Sequence, residues 1–415
     1  MTMKNPLIVG MDTHRQTNVV RVEDGRGQPI GKPLRASNNR PGMEGLAGQL
    51  DALARQGGYD GITLASEATG WYWLGPFYTL TRSCQMPLEL YALNPRMTAN
   101  YKKVLMEEEH TDLSDAGVIA ERLRMGRHLP PPFAPETVYV PLRLLTRYRF
   151  HLVQGLVREK LYALNLVYLK ASEYTAPEQE AFSEVFGATS RAVLTEFGTC
   201  EEIVNMPLDE LTAWLDERGR HRFADPTDNA RRLQKMARDS FVLPAAFQPA
   251  LNLGLEVGVA HIREIEHHIQ RLDAAIADCL KAIPNTLATI PGIGPVFAAG
   301  LIAEIGDIHR FDCDDDKVAK LAGFHWLRHQ SADFEAEHTP ITFKCNHYLR
   351  YYFCEAADRV RIHEPEYAAY YQKKYQEVTQ HQHKRAIVLT ARKLVRLVTR
   401  LLTTGEPYRS RSTDV

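Results

Sequence analysis

Three short apolar runs punctuate the first hundred residues, with helical patterns between them, and this order limits the folds open to the chain. Residues 6–11 (PLIVGM) stop at Asp12, residues 61–65 (GITLA) stop at Ser66 and Glu67, and residues 88–93 (LELYAL) follow. Residues 18–22 (NVVRV) read as the hairpin partner of the first run. Residues 43–55 read as a helix on Leu46, Leu50 and Leu53, and a further helical pattern runs from Asp112 to Arg124. Apolar runs of strand length alternating with segments of helical period predict a layered α/β domain.

A chain of 415 residues exceeds one ordinary domain. Pro130, Pro131, Pro132 and Pro135 interrupt the pattern, and a long helical stretch follows over 142–170. Boundaries are expected to give residues 1–172 as the α/β domain, 173–285 as a helical middle and 286–415 as a mostly helical C-terminal domain. Fifty basic and 51 acidic side chains leave a formal net charge of −1, which excludes nucleic-acid binding by bulk charge. The charge is unevenly placed. Residues 141–170 hold six bases, Arg143 and Arg147 among them, against one acid; residues 171–230 hold 13 acids against four bases; residues 341–415 hold 14 bases against seven acids. Six scattered cysteines without a C-x-x-C pair suit neither a disulfide framework nor a zinc ribbon. The first apolar run is too short for a signal-peptide core, and no apolar stretch reaches the ~18 residues of a membrane span. The cytoplasm is the expected location, with no membrane partner.

Ile262, Ile265, Ile269, Leu272, Ile276 and Leu280 recur close to a heptad. Two readings stay open: a helix packing on its own domain, or a dimerising coiled coil.

Four acids carry the chemistry. Asp12 closes the first strand, Glu67 closes a later one, and Asp112 and Asp115 share one face at the start of a helix. Each has an ordinary explanation alone, as a loop cap or a helix N-terminal acid. Together they suit an RNase H-like sheet whose strand ends and covering helix converge on one cleft. Clustered carboxylates repel unless cations neutralise them, and a hard divalent ion fits oxygen ligands: Mg²⁺, with Mn²⁺ as its substitute. Two such ions can clamp the attacking and leaving oxygens of a phosphodiester. Actin-like sugar kinases also begin with a strand and an Asp, but they need a second glycine-rich phosphate loop.

The late glycines lie instead in Pro291-Gly292-Ile293-Gly294, between helical stretches at 284–290 and 296–305. This is a helix-hairpin-helix pattern, in which Gly292 and Gly294 would let the backbone approach a phosphate. Ser331 is the only serine between Ser240 and Ser410, in an expected loop. Arg328, His329, Lys344, Asn346, His347 and Arg350 surround it in sequence and could bind a scissile phosphate. An unactivated serine needs a base or metal to act as nucleophile. Near the C-terminus Arg392, Arg396 and Arg400 recur every fourth residue beside Leu394, Val395, Val398 and Leu401, a cationic stripe opposite a packing face.

This constellation resembles the DEDD transposases of bacterial insertion sequences, the IS one-ten family of bridge-RNA-guided recombinases. GMDTHRQT resembles its opening G-x-D-x-H motif, SEATGWYW its Glu-centred motif, and LNPRMTANYKK with HTDLSDAGVIA its N-P…K-T-D…D-A block. PGIG, LAGF-x(6)-QS and KCNHYLR resemble its C-terminal domain. The resemblance implies a RuvC-like (RNase H-like) N-terminal domain with Asp12, Glu67, Asp112 and Asp115 as Mg²⁺ ligands, and a C-terminal transposase domain whose serine, here Ser331, forms a phosphoserine link to DNA. It further implies donor and target double-stranded DNA, a structured noncoding RNA guide held by the basic helices, and homodimers assembling into a tetramer in which one subunit's acids serve another's serine. The chain departs from the family in Ala332-Asp333 after the serine and in Cys345 before Asn346. Two alternatives remain: a hydrolytic RuvC-like nuclease or junction resolvase, which would ignore Ser331, and an inactive nucleic-acid-binding remnant.

Overall fold

The computed structural model describes residues 3–105, 111–127, 129–134, 138–176, 181–326, 330–331, 334–335 and 341–410. The chain divides into two compact units, Met1–Thr137 and Val138–Val415.

The first unit contains β1 (Pro6–Thr13), β2 (Thr17–Glu23), β3 (Leu34–Ser37), α1 (Arg40–Gln56), β4 (Gly61–Glu67), α2 (Leu74–Ser83), β5 (Leu88–Leu93), α3 (Pro95–Val104) and α4 (Asp112–Arg124). Its five-stranded sheet has the order β3-β2-β1-β4-β5. The first three strands form an antiparallel meander, and β1, β4 and β5 run parallel. Both faces are covered, so β1 and β4 are apolar almost throughout rather than alternating. The period of two still sorts their side chains. Leu7, Val9 and Met11 meet Met43, Leu46 and Leu50 of α1 and Phe77 and Leu80 of α2 on one face. Ile8 and Ala65 meet Ile119, Ala120 and Leu123 of α4 on the other. Leu7, Val9 and Met11 are fully buried, each worth about 1.5–3 kcal/mol of hydrophobic stabilisation.

Gly10 decides how near α4 comes. A methyl group there would sit 2.0 Å from the Ala116 carbonyl oxygen and 2.5 Å from the Ala120 nitrogen. Only a glycine allows the helix backbone to lie on β1 this closely. Thr111 caps α4 reciprocally with Ser114, which fixes where the helix starts.

Among the described residues, the regular structure of the second unit is helical apart from one small hairpin. Its frame is α5 (Tyr139–Lys170) packed along α10 (Gln248–Lys281). The start of α5 shares a core with the end of α10, through Leu142, Ile276 and Leu280, while Val167 and Leu255 share another at the opposite end, so the two run antiparallel. Arg149 pairs with Asp273, Lys160 with Glu266 at 2.8 Å, and Glu159 lies 3.2 Å from His261. Ile262, Ile269, Ile276 and Leu280 of the heptad pattern are buried in this intrachain packing. The acid-rich segment forms α6 (Ala188–Glu196), α7 (Cys200–Asn205), α8 (Leu208–Arg218) and α9 (Pro226–Asp239), gathered around Val193, Leu211, Leu215, Leu233 and Met236.

The remaining elements are α11 (Pro295–Ile305), α12 (Asp315–Ala322), β6 (Gln330–Ser331), β7 (Phe334–Glu335), α13 (His347–His363), α14 (Pro365–Gln376) and α15 (Gln382–Thr404). The expected helix before PGIG is a three-residue 3-10 turn, Leu287–Thr289, so the motif reads as turn–glycines–helix. Gly292 has φ +92°, and a methyl group there would lie 2.8 Å from the backbone of Arg359 in α13. That glycine serves the packing of one backbone on another, whereas Gly294, the N-cap of α11, faces open space. No helix among the described residues is long and apolar enough to cross a membrane.

Candidate active site

Strand parity carries the site. Asp12 follows Ile8 and Gly10 at intervals of two on the α4 face of β1, and Glu67 follows Ala65 on the same face of β4. Parallel pairing of Met11 with Ser66 brings the two acids to adjacent strand ends. Asp112 and Asp115 occupy the first turn of the helix that covers this face.

His14 Nε2 lies 3.1 Å from Asp12 Oδ2 and 3.4 Å from Asp112 Oδ1. Ligand atoms of Asp12, His14 and Asp112 all fall within 4.8 Å of one another. Glu67 and Asp115 stand outside that trio, each attached to α3. Glu67 accepts a hydrogen bond from the Thr98 hydroxyl, and Lys102 Nζ lies 2.6 Å from Asp115 Oδ1. Thr98 and Lys102 are four residues apart, so one face of α3 serves both acids. Thr13 Oγ1 and Ser66 Oγ, 2.9 Å apart, tie the two strand ends together.

Asp12 is the most enclosed of the trio, its side chain 14 % exposed against 51 % for His14 and 48 % for Asp112. Burial raises the Asp12 carboxyl above its ordinary value; the neighbouring Asp115 and Asp112 add to this, and His14 opposes it. A half-buried acid crowded by two others is electrostatically undersatisfied, and a divalent cation relieves that condition. Carboxylate oxygens with one imidazole fit such an ion.

His14, Thr98 and Lys102 complete the surroundings of the acids, and pattern reading of the sequence assigned them no role. For His14 a signal existed: two residues beyond Asp12, it is the histidine of the G-x-D-x-H pattern in GMDTHRQT. Thr98 and Lys102 lie within the LNPRMTANYKK block, but nothing in its spacing paired them with Glu67 and Asp115 until α3 was placed.

In the second unit Ser331 lies in the short β6 rather than a loop, paired with Phe334 of β7. Arg328, His329, Ala332 and Asp333 lie outside the described residues. Arg350 donates to the backbone carbonyls of Ala322, Gly323 and Thr342, pinning the two ends of the segment that carries the hairpin. Asn346 caps α13 and donates to Glu304 at 2.7 Å; Lys344 is exposed. Arg143 donates to the Ala303 carbonyl, and Arg147 is held by Glu304. Arg392 is 16 % exposed between Asp315 and Asp316, whereas Arg396 and Arg400 are 72 % and 66 % exposed.

An antiparallel meander extended by parallel strands, with acids at adjacent strand ends and on the covering helix, is the RNase H-like arrangement of enzymes that transfer phosphoryl groups on nucleic acid. Residues 9–168 match the DEDD transposase model of IS110 type, and residues 285–372 match the transposase model of the IS116/IS110/IS902 family. The chain is 27 % identical over 289 residues to a 44.8 kDa protein of insertion element IS116 from Streptomyces clavuligerus, covering 67 % of each. It is 26 % identical over 329 residues to the IS117 mini-circle protein of Streptomyces coelicolor, covering 76 % of this chain and 75 % of that one. A 42 kDa protein of IS900 from Mycobacterium paratuberculosis is 24 % identical over 225 residues, covering 52 % and 53 %. The chain belongs to the DEDD transposases of the IS110 family, enzymes that act on DNA in transposition.

Proposed function

We propose that this transposase moves its insertion sequence by Mg²⁺-dependent DNA strand exchange through a phosphoserine intermediate at Ser331. The observation that carries the reading is the shared face of β1 and β4, which puts Asp12 and Glu67 at adjacent strand ends on the side that α4 covers, with Asp112 and Asp115 in that helix's first turn. Asp12, Glu67, Asp112 and Asp115 are the proposed ligands, with His14 beside them. Bound there, divalent cations supply Lewis-acid stabilisation of charge on the phosphodiester oxygens. Thr98 orients Glu67, and Lys102 holds Asp115 against its like-charged neighbours.

Ser331 Oγ forms the new bond to phosphorus as the bond from phosphorus to a deoxyribose oxygen breaks, and that oxygen departs with a proton. A freed DNA hydroxyl then attacks the phosphoserine, the phosphorus–Oγ bond breaks, and Ser331 regains its proton. No oxidant or nucleotide energy source is needed, because each phosphodiester replaces another. The exposed Lys344, Arg396 and Arg400 are proposed to hold phosphates of the substrate. Guidance by a structured noncoding RNA, and homodimers that pair into a tetramer, rest on the family resemblance.

Trapping tests the reading. Wild type incubated with labelled element-end DNA and Mg²⁺ is expected to give a protein–DNA adduct that survives denaturation, and Ser331→Ala none. An Asp12→Asn variant should give neither adduct nor recombination. Cleavage by Ser331→Ala at the wild-type rate would replace this mechanism with hydrolysis at the acids.

A further inference from the structure

The C-terminal end of α15 borders a cavity whose apolar floor the strand-exchange reading does not use. After Thr404 the chain turns at Gly405 (φ +66°) and crosses back, Tyr408 N donating to Thr289 Oγ1 at 2.8 Å and Ser410 Oγ to Glu364 Oε1 at 2.9 Å. This tail, α14 and α15 enclose about 470 Å³, within the ~300–1,000 Å³ of small-ligand sites.

The lining has two kinds of surface. Tyr367, Leu397, Leu401 and Pro407 supply an apolar floor, and Arg396, Arg400 and Arg409 a cationic rim that outnumbers the lining acids Glu366 and Glu406. Nearby charges do not consume that rim. Lys393 is taken by Glu366 at 2.8 Å and lies over the rings of Tyr367 and Tyr370. Arg396 reaches Asp315 only at 3.4 Å, and Arg392 already holds that carboxylate at 2.8 Å. Arg400 and Glu406 are 4.0 Å apart and both exposed, and the exposed Arg409 has no ion pair among the described residues. Arg396 and Arg400, one turn apart, repel each other. A loosely paired cationic rim over an apolar floor matches a phosphate joined to a flat, unstacked base.

We propose that this cavity is a nucleotide subsite that takes one splayed-out unit of a single strand, its phosphate on Arg396, Arg400 and Arg409 and its base over Leu397, Leu401 and Pro407. A duplex offers phosphates on a convex ridge with its bases turned inward, so it can reach the rim but not the floor. A single strand reaches both. The inference rests on the reading of this chain as a nucleic-acid enzyme and adds a strand preference remote in sequence from the acids and Ser331.

Binding of labelled oligonucleotides of about 12 nucleotides by the full chain decides it, with one sequence prepared as single-stranded DNA, single-stranded RNA and duplex DNA. Arg396→Ala/Arg400→Ala/Arg409→Ala is expected to weaken single-strand binding about tenfold or more and to lower its salt slope by about 0.7 for each phosphate left without its arginine. Leu397→Trp fills the cavity and keeps every charge; it should weaken single-strand binding and spare the duplex. Stronger wild-type binding of the DNA or the RNA strand supports the subsite and assigns its source. Equal losses on duplex and single strands in both variants, or no loss in either, overturn it. Should Leu397→Trp not fold, Leu397→Phe takes its place in the same comparison. Adduct formation is scored on the same preparations: wild type that forms the adduct while the rim variant binds single strands normally sinks the subsite alone, whereas wild type that binds no nucleic acid sinks the enzyme reading as well.

Discussion

Lys102 Nζ lies 2.6 Å from Asp115 Oδ1, so one of the four acids of this site is already neutralised by the protein's own cation. The lysine is 12 % exposed and issues from the α3 face whose Thr98 holds Glu67. Helix α3 therefore tunes two acids at once.

Lys102→Met should release Asp115 and uncover its repulsion with Asp12. Without metal, the melting temperature is expected to fall, for a loss of about 1 kcal/mol. The rise in melting temperature on adding Mg²⁺ should be larger than in wild type, because no ammonium competes with the ion. Equal Mg²⁺ responses in the two proteins would show that Lys102 does not compete.

Gly10→Val should separate α4 from β1, since even a methyl group meets the Ala116 carbonyl at 2.0 Å. A cost of about 3 kcal/mol is expected from overpacking, with loss of recombination as Asp112 and Asp115 move away from Asp12. Gly25→Ala is the control: a methyl group there meets nothing within 4 Å, and activity should be retained. Recombination assays beside thermal melts check both.

Thr98→Val keeps the branched shape and removes the hydroxyl that Glu67 accepts from. Recombination should drop about tenfold with little change in stability, the cost of about 1.4 kcal/mol expected for one orienting hydrogen bond. A variant as fast as wild type would remove Thr98 from the site.

Arg147 donates Nε and Nη2 to the two oxygens of Glu304 at 2.7 and 2.9 Å, and Glu304 is 2 % exposed. Burial raises the Glu304 carboxyl, but the bonds and charge of Arg147, aided by Arg143 and Asn346, outweigh it and hold the group below the usual carboxylate range. A depressed carboxylate contributes stability above its unfolded pKa of about 4.3 and loses it as pH falls through the folded value. Glu304→Gln should therefore flatten the acid limb of the stability curve below about pH 5. Arg147→Met should cost about 3–5 kcal/mol by stranding a buried charge, and Arg147→Met/Glu304→Leu should recover much of that. Urea unfolding across pH measures all three.

Local patterns made much of the first unit legible. The apolar runs before Asp12 and Glu67 became β1 and β4, and the D-x-x-D segment became α4 from Asp112 to Arg124 as read. Periods of two and 3.6 belong to neighbouring residues, so they survive in the sequence. The ends of these elements already nominated the four acids.

Pairwise meetings between distant segments were not legible. The same arginine spacing covers Arg392, held by two aspartates of α12, and Arg396 and Arg400, which face solvent. The heptad from Ile262 to Leu280 specifies an apolar seam but not its partner, and folding against α5 supplied one within the chain. Gly292 looked fit for a phosphate and proved to be filled by the backbone of Arg359.

By itself, then, the sequence determined the alternating strands and helices of the first unit, the acids at their ends and the family they resemble, because these depend on spacing along the chain. Tertiary structure alone decided which charges are consumed, that Lys102 and Thr98 of α3 close on the acids, and that the tail and α15 leave an open cationic cavity. Those outcomes depend on distances across the fold, and no interval along the chain encodes them.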